Sequence, residues 1–186
     1  MTALLIFLGI ILIVIVWAIS KYNLFIRLRN NRENAFADID VQLKQRHDLI
    51  PQLVATVKGY ASHEKETLEQ VINARNGAIN AQGIDQKIVA ENALSSALAG
   101  LKVTVERYPD LEANTNFMHL QEEISDIENK LAAVRRFFNS ATKELNTAIE
   151  MFPASIIAGM FGFKKEMMFD LGDERKTLVQ APQINF

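Results

Sequence analysis

The residues able to do metal or acid–base chemistry are few, and their spacing is wrong for it. His63-Glu64 begins the helical His-Glu-x-x-His pattern that sets two imidazoles on one face for zinc, but position 67 is Thr. Helical bundles also hold paired irons through Glu-x-x-His. Three residues before His47, His63 and His119 stand Lys44, Tyr60 and Asn116. With no cysteine in the chain, thiolate metal sites, thiol nucleophiles and disulfides are excluded. No phosphate loop, nucleophile elbow or Gly-x-Gly-x-x-Gly occurs. Among the carboxylates, Asp38 and Asp40 point about 200° apart on a helix, and Glu122 with Asp126 lies off the apolar face. These are solvated charges rather than an acid–base pair.

More informative are polar residues standing in apolar slots. Arg46 or His47 fills the slot between Leu43 and Ile50, and Glu64 fills the one between Tyr60 and Leu68. A buried charge is costly unless it is paired, so Arg46, His47 and Glu64 form a candidate interior polar network. Such groups most often set the pairing of helices, and an ion or ligand site is the alternative.

The elements that carry these residues follow from composition and period. Eight glycines and four prolines in 186 residues are about half the usual share, which favours long helices over a sandwich or barrel. A net charge of -2, from 20 basic and 22 acidic residues, argues against a general nucleic-acid binder. All of those charges lie beyond residue 20. Residues 3–19 are uninterrupted by charge and include Leu4, Leu5, Ile6, Phe7, Leu8, Ile10, Ile11, Leu12, Ile13, Val14, Ile15, Val16 and Trp17. As a helix this run covers ~26 Å and, with its flanks, about the ~30 Å of a bilayer core. It is longer than a signal-peptide core and lacks a basic flank before it, so it reads as a retained transmembrane anchor. Lys21, Arg27, Arg29 and Arg32 follow before any acid, which places the body on the cytoplasmic side and the N-terminus outside. Trp17 and Tyr22 stand where rings mark the interface.

Beyond the anchor, Phe117, Leu120, Ile124, Ile127, Leu131, Val134, Phe138, Ala141, Leu145, Ala148 and Phe152 recur in steps of three and four, which predicts one long amphipathic helix. Ile84, Ile88, Leu94, Leu98, Leu101, Val105 and Tyr108 predict another, with Asp85 as N-cap and Pro109 as its stop. Upstream, the spacing from Phe36 to Ile79 predicts a helix running from the anchor to about Asn80, with a kink or short break near Asp48 to Pro51. A full break gives four long helices and a kink gives three. Residues 152–163 are apolar but too short to span a membrane. They either cap the bundle or offer Ile156, Ile157, Met160, Phe161 and Phe163 as an exposed docking surface for a partner, another copy or lipid, with Lys164 and Lys165 beside it.

Segments in two regions of the chain carry a resemblance. Tyr22-Asn23, the run from Arg29 through Val54, and Val57 through Leu68 strongly resemble the bacterial LemA family, as do Asn146 to Ile149, Phe152-Pro153 and Ile156 through Phe163. The likeness implies a single-pass protein of the bacterial cytoplasmic (inner) membrane, some of whose relatives are encoded beside a membrane zinc protease. The expected fold is all-α, an N-terminal single transmembrane helix followed by an antiparallel up-and-down bundle of three to four long helices. The expected organisation is an anchor over 1–20, a bundle over 21–163 and a partly ordered tail over 164–186. The expected function is a non-enzymatic, membrane-anchored scaffold without cofactor or metal, whose partners are the lipid bilayer and envelope proteins or a second copy. The alternative is a membrane-surface sensor that binds an ion or small ligand in the interior polar network and is tied to a membrane protease in envelope maintenance.

Overall fold

The structure, a computed structural model, describes residues 1–169; the part of the expected tail from 170 to 186, including Pro182 to Phe186, lies outside the described residues. It is all-α, and no strand occurs among the described residues. The helices are α1 (Thr2–Tyr60), α2 (Lys65–Asn80), α3 (Gly83–Val105), a single turn α4 (Pro109–Glu112), α5 (Thr115–Glu150) and α6 (Ala154–Met160). They form two compact units, one of Met1–Ala37 with Arg136–Met168 and the other of Asp38–Arg135 with Phe169.

In the second unit, the long first helix expected to reach Asn80 ends instead at Tyr60, and the chain turns over residues 61–64. Ala61 is buried inside that turn, its N–H bonded to the Val57 carbonyl at 2.8 Å. The apolar spacing stays in phase across the turn, from Tyr60 through Glu64 to Leu68, so period alone did not reveal it. At Pro51, where a kink or break was expected, α1 does not end. A proline leaves the carbonyl four residues back without its helical donor. That carbonyl belongs to His47, and the Arg75 guanidinium of α2 donates to it through Nε at 2.7 Å. A cross-helix side chain thus replaces the missing backbone bond.

The rest of this unit is built around Ile50, Leu53 and Val57 of α1, Leu68 and Val71 of α2, Leu94 and Leu101 of α3, Leu111 of α4 and Phe117 of α5, in one apolar core. Asp85 is not the N-cap of α3. Gln82 holds that place, its N–H bonded to the Gln86 side chain at 3.2 Å, while Gly83 takes a positive φ of 75° that only glycine adopts without strain. The same helix stops at Val105, three residues short of the expected Tyr108, and Pro109 opens α4, where its missing N–H costs nothing. Asn114 starts α5 by accepting the N–H of Phe117 at 3.0 Å.

In the first unit, Phe25 and Leu28 of α1, Leu145 and Ile149 of α5, and Ala154, Ile157 and Ala158 of α6 share a second core, joined by Trp17, Ala18, Tyr22 and Phe163. The buried face of α5 ends at Ile149; Phe152, expected to continue it, is 81% exposed. The segment after α6 is pinned by side chains. Asn146 donates to the Glu166 carbonyl at 2.9 Å and accepts its N–H at 2.8 Å, and buried Arg32 pairs with the Glu166 carboxylate at 3.2 Å and donates to the Met167 carbonyl at 3.1 Å.

The bond from Arg75 to the His47 carbonyl has a measurable consequence. Arg75→Met should lower stability by about 1–3 kcal/mol, the cost of an unsatisfied buried acceptor, by thermal unfolding followed with circular dichroism in detergent. In a Pro51→Ala background, whose restored N–H returns to the His47 carbonyl, the same substitution should cost clearly less. Equal losses in the two backgrounds would contradict the exchange.

Candidate functional site

Consecutive positions on α1 send Arg46 and His47 toward α3 and α5. Arg46 is fully buried. Its Nη1 donates to Glu128 Oε1 of α5 at 2.8 Å, and its Nη2 donates to Ser95 Oγ of α3 at 3.0 Å and lies 3.6 Å from Glu91 Oε2. His47 Nε2 meets Glu91 Oε1 at 2.7 Å. Glu91 is itself buried, so the carboxylate answers two cationic or donor groups of α1 from the facing turn of α3. Glu128 is partly open to water, and Asp40 with Lys87 closes the outer side through two contacts of 2.8 Å. An open cleft of about 310 Å³ reaches this network between Asp40, Lys44, His47, Lys87 and Glu91.

A planar guanidinium forked between two helices tolerates little sliding of either, because its donors point in fixed directions. The arrangement therefore fixes register among α1, α3 and α5 in this unit. Among the described residues, no three His, Asp or Glu side chains converge as metal ligands.

Glu64, the third residue of the expected network, is elsewhere. It accepts from Arg107 Nη2 and from the Tyr108 hydroxyl, each at 3.0 Å, tying the turn after α1 to the end of α3. The hydrogen bond to Glu64 raises the Tyr108 phenol above its ordinary value of 10.0, desolvation and the Glu64 charge act the same way, and Arg107 opposes them. A phenol raised in the folded state contributes stability that is complete below the unfolded value and is lost as pH rises through the folded one, so the phenol's own contribution is constant near neutrality. Beside it, Asn114 donates to the Tyr60 hydroxyl at 2.9 Å.

Glu91, Ser95, Glu128 and Arg75 were not singled out from the sequence. Glu91 had a readable signal, since it fills the gap between Ile88 and Leu94 in the apolar pattern of α3. Glu128 had none, being one of several acids beside the α5 seam.

In the first unit, the side chains of the expected anchor from Leu4 to Val16 are all exposed, and none of its most apolar window is buried. Of the four cations after it, Arg32 is buried in the contacts described above, Arg29 lies 3.9 Å from Glu33, and Arg27 is exposed. The five residues expected as an apolar surface divide. Ile157 is buried and Phe163 packs on Phe25 with ring centroids 5.1 Å apart, while Ile156, Met160 and Phe161 are exposed.

The LemA family model matches residues 35–186. The chain belongs to the LemA family. Its relatives include the magnetosome protein MamQ of Magnetospirillum gryphiswaldense, 23% identical over 89% of this chain and 71% of that protein. Another is protein LemA of Metamycoplasma hominis, 24% identical over 89% of this chain and 76% of that protein. A second magnetosome protein, MamQ 2 of Paramagnetospirillum magneticum, is 21% identical over the same shares as the first. With these relatives and its exposed apolar helix, this LemA-family chain is a membrane protein.

The Arg46 contacts predict a large, partner-dependent loss. Arg46→Met should cost about 3–5 kcal/mol by leaving buried Glu91 with the His47 ring alone and by removing the donors to Glu128 and Ser95. Adding Glu91→Leu should cost less than the sum of the two single changes, as read by denaturation midpoints in detergent. Additive losses would show that the two groups do not depend on each other.

Proposed function

We propose that this LemA-family protein is a non-enzymatic, single-pass scaffold of a bacterial cytoplasmic membrane, with its N-terminus outside and its helical body inside. The observation that carries the reading is the continuity of α1 in the first unit. Its bilayer-length apolar stretch passes without a linker into the turns bearing Phe25, Leu28 and Arg32, so that unit is built directly on the anchor. Lys21, Arg27 and Arg29 on that side of the stretch support a cytoplasmic body. The polar groups able to do chemistry are engaged with one another, Arg46 and His47 with Glu91, and Glu64 with Arg107 and Tyr108, in contacts that set helix packing. The magnetosome relatives support a task performed at a membrane.

A scaffold must hold something, and the second unit offers an apolar groove. It is a cleft of about 480 Å³ lined by Leu53, Leu98, Leu101, Val105, Phe117 and Ile124, with Gln121 at its edge. Its partner is an envelope protein or a second copy of this chain. A photo-crosslinking amino acid placed at Gln121 in cells should give a discrete adduct after irradiation, and Leu98→Ser should abolish it while the helical circular dichroism is retained. No adduct at Gln121, in cells where the protein is present in the membrane, would remove the groove as the working surface.

A further inference from the structure

An apolar rim stands beside the point where the anchor leaves the bilayer. A hydrocarbon core of ~30 Å needs ~20 helical residues, so a span beginning at the N-terminus ends near residue 20, with Trp17 and Tyr22 at the interface. At this level α6 docks. Its inner face, Ala154, Ile157 and Ala158, packs in the core that includes Trp17, Ala18 and Tyr22. The Tyr22 ring lies 4.8 Å from that of Phe161 and 5.9 Å from that of Phe163, centroid to centroid.

The outer face is left uncovered. Met151, Phe152, Ile156, Met160 and Phe161 are all more than half exposed, Phe152 at 81% and Met160 at 74%. Five large apolar side chains within eleven residues are far from the singly scattered apolar residues of an ordinary surface. They are carried by a segment whose other face rests on the anchor's interfacial turns, so the rim continues the exposed apolar surface of the anchor itself. Lys164 and Lys165 follow at once, the first exposed and the second 3.0 Å from Glu150. An apolar rim, aromatic rings and adjoining lysines at this level are the makings of an interfacial membrane contact.

We propose that the outer face of α6, with the turn at Met151 and Phe152, inserts into the headgroup and acyl boundary of the same bilayer that α1 crosses. The inference rests on the anchor reading of residues 1–20 and goes beyond it. The protein then holds its membrane at two places, a spanning helix and a surface wedge, and the wedge sets the tilt of α1 and the facing of the first unit, as interfacial anchors do. Lipid is the committed occupant because the rim adjoins a surface that is already lipid-facing.

The chain has no cysteine, so single labelling sites are clean. Full-length protein carrying Met160→Cys, Ile10→Cys or Glu123→Cys would be labelled with an environment-sensitive fluorophore and reconstituted at high dilution in vesicles of phosphatidylcholine and phosphatidylglycerol. Brominated lipids with bromine at shallow or deep acyl positions then report depth. The Met160→Cys probe should be blue-shifted and quenched more by shallow than by deep bromines, as fits insertion of ~5–10 Å. The Ile10→Cys probe should be quenched more by the deep set, and the Glu123→Cys probe by neither. If the Ile10→Cys probe is quenched and the Met160→Cys probe is not, the wedge is wrong and the anchor stands. A Met160→Cys probe that is blue-shifted yet unquenched would mean that protein covers the face, which equally overturns the proposal. No quenching at Ile10→Cys would overturn the anchor and the wedge together.

Discussion

A guanidinium without water governs the second unit. Arg46 is sealed from solvent, and Glu91, Ser95 and Glu128 offset the cost of burying its charge, so α3 and α5 must present those groups at one level of α1. The neighbouring residue extends the same demand. His47 gives its ring to Glu91 and its carbonyl to Arg75, the second because Pro51 has no N–H to offer. Two successive residues of α1 are thus tied to α2, α3 and α5. An apolar core alone would tolerate small slips between helices, whereas directional donors do not.

The first unit answers a different constraint. Its α1 segment begins with side chains that water cannot solvate favourably, and the surface they expose belongs in a bilayer. Around the emerging turns, α6 and the segment after it are fastened by the paired bonds of Asn146 to Glu166 and by Arg32, whose guanidinium also lies 5.0 Å over the Phe138 ring. Arg32 therefore does two things. In the proposed topology it is one of the cations that follow the apolar stretch, and as a buried partner of Glu166 it holds the strap that ends the unit.

Much of this could be read from residues alone, and the failures have physical causes. The apolar helix at the start of α1 was legible because seventeen uncharged residues run without interruption, and the α5 seam because its three–four alternation persists over many turns. The family likeness rested on long runs of residues and agrees with the match over 35–186. The turn at 61–64 was hidden because Tyr60, Glu64 and Leu68 keep helical phase across it. At Pro51 the sequence left a kink or a break open; α1 runs through it without a break, and the carbonyl that the proline strands is met by an arginine 24 positions later whose purpose only the fold displays. At the candidate site, burial of Arg46 and His47 could be inferred from their slot, but Glu128 could not be picked out as a partner because acids are abundant on α5, whereas α3 carries only Asp85 and Glu91 and the second interrupts its seam. Ile157 and Phe163 could not be separated from Ile156, Met160 and Phe161, because a seven-residue helix is too short for its buried face to be phased from pattern.

The central claim is that one apolar helix crosses the membrane and holds the helical body on the cytoplasmic face. Labelling with a membrane-impermeant maleimide tests it most directly, on intact spheroplasts producing the full chain with Thr2→Cys or Glu123→Cys. The account predicts that Thr2→Cys reacts from outside and that Glu123→Cys reacts only after lysis, with both proteins in the membrane fraction. Reaction of Glu123→Cys in intact spheroplasts, or recovery of the protein in the soluble fraction, would contradict it.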